Sequence, residues 1–321
     1  MKKQVLIFII FILSFVFFSC EENFEPFTEK KDTYILNCLL RNDTTFQALY
    51  VSHSYQPNGF NPYTISTDPV VRNADVRVWI NDSVYIFRDT IVLRTDTSRY
   101  KEDIYFYYHN NLRIYPNSDL EVEVILPWGK KLSAKSIAPP NVTFSSLSTS
   151  GIAETGDDYI RVLWSAPSTN GYFLPRLIFS YYKPVNGINK MFTKTVPLRY
   201  IPSDGTVKTI YPLAGYSPSL MIHKSVLRRT LEEISENDTN KKSYFVNEFL
   251  YVDVLSFDIN LTRYYSSTQQ KDNLSISVDE NDYSNIVGGQ GVFASYSKSR
   301  YRMKFISTYI TSLGYSFNYG E

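Results

Sequence analysis

Cys20 has the clearest chemical role in the sequence, because it ends an apolar segment close to the N-terminus. Lys2 and Lys3 precede a mostly apolar run over residues 5–18, and Ser19 stands directly before the cysteine. A basic start, a short apolar run and a small residue before the cleavage point are typical of a secretory signal. A cysteine directly after that small residue indicates the bacterial lipoprotein form, in which the thiol receives a diacylglycerol. The alternative is an ordinary signal peptide with an incidental cysteine.

Acyl chains on Cys20, such as palmitate, would attach the protein to a membrane without any further apolar segment. Each buried CH₂ contributes about 0.8 kcal/mol, and anchoring becomes stable once two chains are present. No later apolar run approaches the roughly 20 residues of a spanning helix. Glu21 and Glu22 resemble the surface-export signal of Bacteroidota lipoproteins. We therefore expect a lipid-anchored outer-membrane protein at the cell surface, with the periplasmic face as the alternative.

Carboxylates are the next candidates for chemistry. Asp253 and Asp258 lie close in sequence, and Asp279, Glu280 and Asp282 form a cluster. Two carboxyls about 5 to 9 Å apart in a cleft would suit a glycosidase. The cluster lacks the alternating oxygen ligands and the glycine of a calcium loop. We therefore expect it to be a solvated turn, and we expect no catalytic residue in either group.

Histidine and cysteine offer little further chemistry. His53, His109 and His223 have no metal-ligand spacing, and the chain has no His-Glu-x-x-His or Gly-x-Ser-x-Gly motif. With Cys20 lipidated, Cys38 has no cysteine to pair with, and it is expected to be a small buried hydrophobe. The sequence therefore predicts a protein that is not an enzyme and holds neither a metal nor a cofactor.

The glycines at 288, 289 and 291 raise the question of a phosphate-binding loop. Such a loop needs a following helix whose N-terminus faces the anion, and Lys-Ser or Lys-Thr to close it. Residues 292–296 instead have the pattern of a strand, and no such pair follows. We expect the glycines to allow backbone conformations with positive φ and to let this segment approach a neighbouring segment closely.

Three short segments match the Bacteroidota O-glycosylation pattern, which is an aspartate, then serine or threonine, then an apolar residue or threonine. Chance is the alternative in a chain rich in these residues. The segments are Asp43-Thr44-Thr45, Asp82-Ser83-Val84 and Asp89-Thr90-Ile91.

Composition and charge favour a strand-rich protein without a nucleic-acid surface. The chain has 33 basic and 32 acidic residues, and a nucleic-acid surface would need a clustered basic excess. Its 27 Tyr and 21 Phe residues suit half-buried strands.

Alternating apolar residues predict most of the elements. Hairpins are expected around residues 76–87 and 120–137, and paired prolines at 139–140 suggest a boundary. A loop is expected over 88–111. The predicted organisation is a signal peptide at 1–19, a tether at 20–32, a β-sandwich at 33–138 and a second domain at 139–321.

The second domain is predicted to contain strands and two short helices. The helices are expected at Ser225–Glu236, with Ser225 as N-cap, and from Asp258 to residue 270, with Asp258 as N-cap. Strands are expected at residues 249–257, 291–296 and 301–306, among others.

Several of these features together resemble the Bacteroidota domain-of-unknown-function family 4249. They are the lipoprotein signal with its acidic tail, the strand at 35–40, the segment Asn73-Ala74-Asp75-Val76-Arg77-Val78, the hairpin around Trp128-Gly129 with Pro139-Pro140 after it, residues 252–257 with Tyr264-Tyr265, and the late segment 284–293 with its glycines. The resemblance implies a mainly β fold, with an immunoglobulin-like antiparallel β-sandwich followed by a second mostly-β domain.

The resemblance also implies a role without an established activity. Members tend to be encoded beside TonB-dependent outer-membrane transporters, so we expect a non-catalytic accessory or binding component of such a system. The alternatives are a surface glycan or peptide hydrolase and a purely structural envelope protein. The expected partners are the membrane, through Cys20, and a TonB-dependent transporter. Nothing in the sequence indicates the oligomeric state.

Overall fold

A computed structural model describes residues 33–54, 65–166, 171–203, 205–236, 238–269 and 283–318. The predicted signal peptide and tether lie outside these residues. From Thr33 onward the chain forms one compact unit. Its described part is mainly β, as predicted. Within that part, no helix is both long enough and apolar enough to span a membrane.

The element bounds are as follows. The first half contains β1 (Tyr34–Arg41), β2 (Gln47–His53), β3 (Asp75–Ile80), β4 (Ser83–Val92), β5 (Ile104–His109), β6 (Asp119–Ile125) and β7 (Lys131–Ile137). The second half contains β8 (Thr143–Phe144), β9 (Gly151–Ile152), β10 (Tyr159–Ser165), β11 (Phe173–Val185), β12 (Ile188–Val196), β13 (Arg199–Ser203), β14 (Thr206–Ile210), β15 (Ser219–His223), β16 (Phe245–Phe257), β17 (Gln290–Phe305) and β18 (Ser316–Asn318). The helices are α1 (Lys224–Glu232), α2 (Ile259–Gln269) and α3 (Ser307–Ser312), with a 3₁₀ turn at Lys241–Ser243.

The first seven strands form an antiparallel sandwich. One layer has the order β1-β2-β5-β4, and the other has the order β4-β3-β6-β7. Strand β4 belongs to both layers, because its first half pairs with β3 and its second half with β5. This is the strand order of an immunoglobulin constant-type fold, with the fourth strand shared between the sheets. The immunoglobulin-like prediction is therefore confirmed.

The second half continues one layer of the sandwich. β17 pairs in parallel with β1 on one side and antiparallel with β16 on the other, so the sheet runs β12-β11-β16-β17-β1-β2. The prediction of two separate strands at 291–296 and 301–306 is wrong, because β17 runs without a break through both. Ser295 and Ser297, in the middle of this strand, are fully buried.

Two hydrophobic cores lie on either side of the predicted boundary at residues 139–140. The first is inside the sandwich and receives Ile286 and Phe293 from the C-terminal part of the chain. The second is formed by residues from 142 onward, including Phe179 and Phe305. The boundary itself stays a prediction.

The helices follow the predictions with three corrections. α1 ends at Glu232, and its N-cap is His223, not Ser225: the Ser225 N–H donates to His223 Nδ1 at 3.2 Å. Asp258 caps α2 as predicted, since its carboxylate accepts the Leu261 N–H at 2.7 Å. α3 was not predicted. Residues 88–111, expected to be a loop, contain the end of β4 and all of β5.

Candidate functional site

A cleft of about 1080 Å³ separates the outer face of the β3-β6-β7 layer from the start of α2. Small-molecule and cofactor sites have volumes of roughly 300 to 1,000 Å³, so this cleft is large enough for a ligand. One wall comes from the sandwich, and the other comes from β11, β16 and α2. It is the candidate functional site.

The sandwich wall consists of residues that the strand alternation points away from the sandwich core. Trp79, Glu121, Lys135 and Ile137 lie on neighbouring strands, and Ile137 is 59% exposed. Lys135 Nζ lies 2.9 Å from a carboxylate oxygen of Glu121, its cross-strand partner. The wall is therefore partly apolar and carries a neutralised charge pair.

On the opposite wall, a glycine allows two backbone segments to pack closely, and a serine hydroxyl has no hydrogen-bond partner among the described residues. A Cβ on Gly171 would overlap the carbonyl oxygen of Phe257, so only glycine fits there. Ser256 is the cross-strand partner of Phe173, and both line the cleft. The Ser256 hydroxyl is buried and has no hydrogen-bond partner among the described residues. Buried polar groups are usually satisfied, so an unpaired hydroxyl on a residue of this wall is an exception.

Asp258 lies at the base of the cleft and ties its walls together. Its Oδ2 accepts hydrogen bonds from Ser136 Oγ at 2.5 Å, from the Ser295 N–H at 2.6 Å and from Ser295 Oγ at 3.0 Å. Its Oδ1 accepts the Leu261 N–H that begins α2. Burial raises the pKa of this carboxyl above its ordinary value, although the hydrogen bonds lower it. The carboxylate is thus engaged by β7, β17 and α2.

Asn260 makes a second connection between the walls. Its Nδ2 donates to the backbone carbonyl of Lys135 at 3.1 Å, and its Oδ1 accepts from the Tyr283 hydroxyl at 2.8 Å. Ser136, Asn260 and Ser295 were not predicted as site residues. No local pattern marks them, because their partners lie far away in sequence.

The structure does not unite the carboxylates considered from sequence. Asp253 is buried and accepts two hydrogen bonds from Arg300, at 2.5 and 2.7 Å, while Lys298 Nζ lies 3.6 Å away. Its partners are different from those of Asp258. The cluster of Asp279, Glu280 and Asp282 lies outside the described residues, as does Cys20.

The histidines and Cys38 occupy separate places. His53 Nδ1 contacts the Ser54 carbonyl, and His223 caps α1. The pKa of His109 is lowered, mainly by burial and to a smaller extent by the positive charge of Arg88. Cys38 is buried, and burial raises the pKa of its thiol far above the usual range. Across the described ranges, no group of three or more His, Cys, Asp or Glu residues is placed to hold a metal ion.

The glycine segment serves the backbone, as expected. Gly288 and Gly291 have φ of +85° and +108°. A Cβ on Gly288 would overlap the Lys131 carbonyl oxygen, and one on Gly291 would overlap that of Leu36. The segment therefore passes between β7 and β1 at a distance that excludes larger residues. Val292–Tyr296 belongs to β17, as the strand pattern indicated.

The three glycosylation segments have different surroundings. Ser83 is exposed at the turn between β3 and β4, and Thr44 lies in the turn between β1 and β2. Thr90 lies within β4, opposite Phe106 of β5. Modification at these positions stays a prediction.

Comparison with known proteins identifies the family of the chain. No curated protein matches it. The family described as Domain of unknown function (DUF4249) matches residues 21–302, which is most of the chain and includes both walls of the cleft. The chain therefore belongs to the DUF4249 family.

Proposed function

We propose that the protein is a lipid-anchored, non-catalytic binding component of the outer membrane, accessory to a TonB-dependent transporter. The observation that carries the binding role is the cleft, which combines partly apolar walls with a Ser256 hydroxyl that has no partner among the described residues. Most of its charged groups are already engaged: Asp258 accepts four hydrogen bonds, Glu121 pairs with Lys135, and Glu123 pairs with Lys131. Such a site suits holding a ligand more than reacting with it.

The position of the cleft along the sandwich supports this role. β1 begins at Tyr34, beside Leu132 at the start of β7, since a Cβ on Gly289 would meet both residues within 3 Å. The cleft lies at the other end of β7, next to Ile137. Seven strand residues span roughly 20 Å. Thr33, the first described residue, therefore lies near the end of the sandwich that is remote from Ile137 and the cleft.

Replacing Cys20 by Ser is expected to abolish membrane attachment. The variant lacks the thiol that receives the lipid, and two acyl chains supply the anchoring energy in our proposal. Fractionation of cells into envelope and soluble fractions, followed by immunoblotting, measures the effect. Mass spectrometry excludes retention of the uncleaved signal peptide, and Cys38→Ser is the matched control that should stay in the envelope. A cleaved Cys20→Ser protein that remains in the envelope would contradict the proposed anchor.

Co-purification tests the accessory role. Protein tagged near Glu321 is extracted from native membranes with mild detergent, and the recovered partners are identified by mass spectrometry. We expect a TonB-dependent transporter in a constant ratio to the tagged protein. Absence of a transporter, under conditions that preserve known transporter complexes, would contradict the accessory role.

A further inference from the structure

One edge of β7 faces the cleft instead of another strand. Ser133 exchanges both backbone hydrogen bonds with Val287, at 3.1 and 2.8 Å, so its N–H and C=O point away from β6. The Ala138 N–H donates to the Ser118 carbonyl at 2.9 Å on the β6 side. Because backbone groups alternate along a strand, those of Lys135 and Ile137 also point away from β6.

The partner strand gives independent support for this direction. Ile137 lies opposite Asp119 on β6. The Asp119 N–H donates to Asn81 Oδ1, and the Asp119 carbonyl accepts the Asn81 N–H. The backbone groups of Asp119 are therefore not bonded to Ile137. Beyond Ser133 on this edge, the Lys135 carbonyl accepts from Asn260 Nδ2, and the backbone of Ile137 has no partner among the described residues. The donor and acceptor of Ile137 therefore remain available along the cleft.

We propose that the cleft binds an extended peptide segment as an added strand on the β7 edge. This inference rests on the proposed binding function and names its ligand class. A peptide backbone supplies the alternating donors and acceptors that Ile137 requires, and strand addition at a free sheet edge is an established mode of peptide recognition. The prolines at 139–140 have no N–H, so pairing ends there.

The side chains of the cleft define what kind of peptide fits. Phe173 and Ile259 on the opposite wall offer apolar surface to every second side chain of the added strand. Four carboxylates line the cleft, those of Asp119, Glu121, Glu123 and Asp258. Glu121 pairs with Lys135, Glu123 pairs with Lys131, and Asp258 accepts four hydrogen bonds. Asp119 therefore adds negative charge to the cleft beyond these pairs, which favours basic residues on the peptide.

A defined peptide library tests the proposal on the full mature protein in detergent. The probe is a capped hexapeptide library in which apolar residues alternate with lysine or arginine, and fluorescence anisotropy measures binding of the selected sequences. Methylating single peptide amides should weaken binding by roughly tenfold at alternate positions only, because strand pairing uses every second N–H. Uniform effects at all positions would overturn the proposal.

Variants at Ile137 separate backbone pairing from side-chain contact. Ile137→Pro removes a donor that the β6–β7 ladder does not use, and it should weaken peptide binding by roughly tenfold. Ile137→Thr keeps the N–H and should bind within about threefold of wild type. Equal loss in both variants would overturn the proposal. The methylated peptides test the same point without altering the fold.

The outcomes separate this inference from the proposed function. Selection of no peptide from the library, or preferential binding of neutral oligosaccharides, would overturn the peptide assignment. If a transporter still co-purifies in that case, the accessory role stands and only the ligand class is wrong. If neither a peptide nor a transporter is recovered, both proposals fail.

Discussion

Gly291→Ala is expected to destabilise the protein by roughly 2–5 kcal/mol, through backbone strain and steric overlap together. Gly291 has φ of +108°, a conformation that is essentially restricted to glycine. An added Cβ would overlap the Leu36 carbonyl oxygen and lie 2.9 Å from its carbonyl carbon. Because both are backbone atoms, no side-chain movement can relieve the contact. β1 and β17 would have to separate, which weakens the parallel pairing that joins the two halves.

Gly129→Ala is the matched control for this prediction. Gly129 has φ of +86°, but no atom lies within 4 Å of the position a Cβ would take. The control therefore carries the cost of positive φ alone, roughly 1–2 kcal/mol. Urea denaturation followed by far-UV circular dichroism measures both variants. Equal losses would show that overlap with the Leu36 carbonyl adds no cost beyond that of positive φ.

The elements that sequence predicts well are those whose signal is local. In the hairpin of β6 and β7, apolar residues alternate on each side of the turn at Trp128-Gly129, so the buried face follows from period two. The glycine segment was interpreted correctly because positive φ and close approach are properties of single residues. The cap at α1 was assigned to the wrong residue, since imidazole is not among the usual capping groups.

The features that escaped prediction depend on pairing between distant segments. The parallel register of β1 with β17 places Leu36 opposite Gly291. Nothing in either segment's own sequence indicates which segment it pairs with. Ser295 and Ser297 are buried because other segments supply their hydrogen bonds, namely Asp258 and the Pro139 carbonyl. The sequence pattern alone does not show these long-range partners, and the prediction ended a strand at residue 296.

The candidate site escaped prediction for the same reason. Its sandwich wall consists of residues on the outer face of the sandwich, which would be exposed to solvent if the sandwich stood alone. They become a wall only because the start of α2 lies opposite them. Asp258 was considered as a catalytic carboxylate and as a helix cap, and the cap was confirmed. Its bond to Ser136 spans 122 residues of sequence, so its role at the base of the cleft could not be foreseen.

Asp258→Asn is expected to destabilise the protein by roughly 2–4 kcal/mol. The two carboxylate oxygens accept bonds from Ser136, from Ser295 and from the Leu261 N–H. An amide can present an oxygen to only one of these sets, so its NH₂ group must face a backbone N–H in either orientation. Urea denaturation at pH 7 measures the loss. Ser136→Ala, which removes a single donor and leaves the cap intact, is the control and should cost about 1 kcal/mol. A loss no larger than that of the control would contradict the proposed role of Asp258 in joining the cleft walls.

The stability difference between wild type and Asp258→Asn should also narrow as pH rises. Burial raises the pKa of Asp258 in the folded protein above the ordinary carboxyl value of 3.8. The folded state therefore binds the proton more tightly than the unfolded state does. This contribution to stability is fully present below pH 3.8, and it is lost as pH rises through the raised pKa. Asparagine does not titrate, so the variant lacks the contribution. Urea denaturation of both proteins at several pH values between 3.5 and 8 measures the difference, which should be largest in acid. If the difference in unfolding free energy between wild type and Asp258→Asn instead widens as pH rises, the prediction is wrong. The hydrogen bonds to the carboxylate would then outweigh the cost of burying its charge.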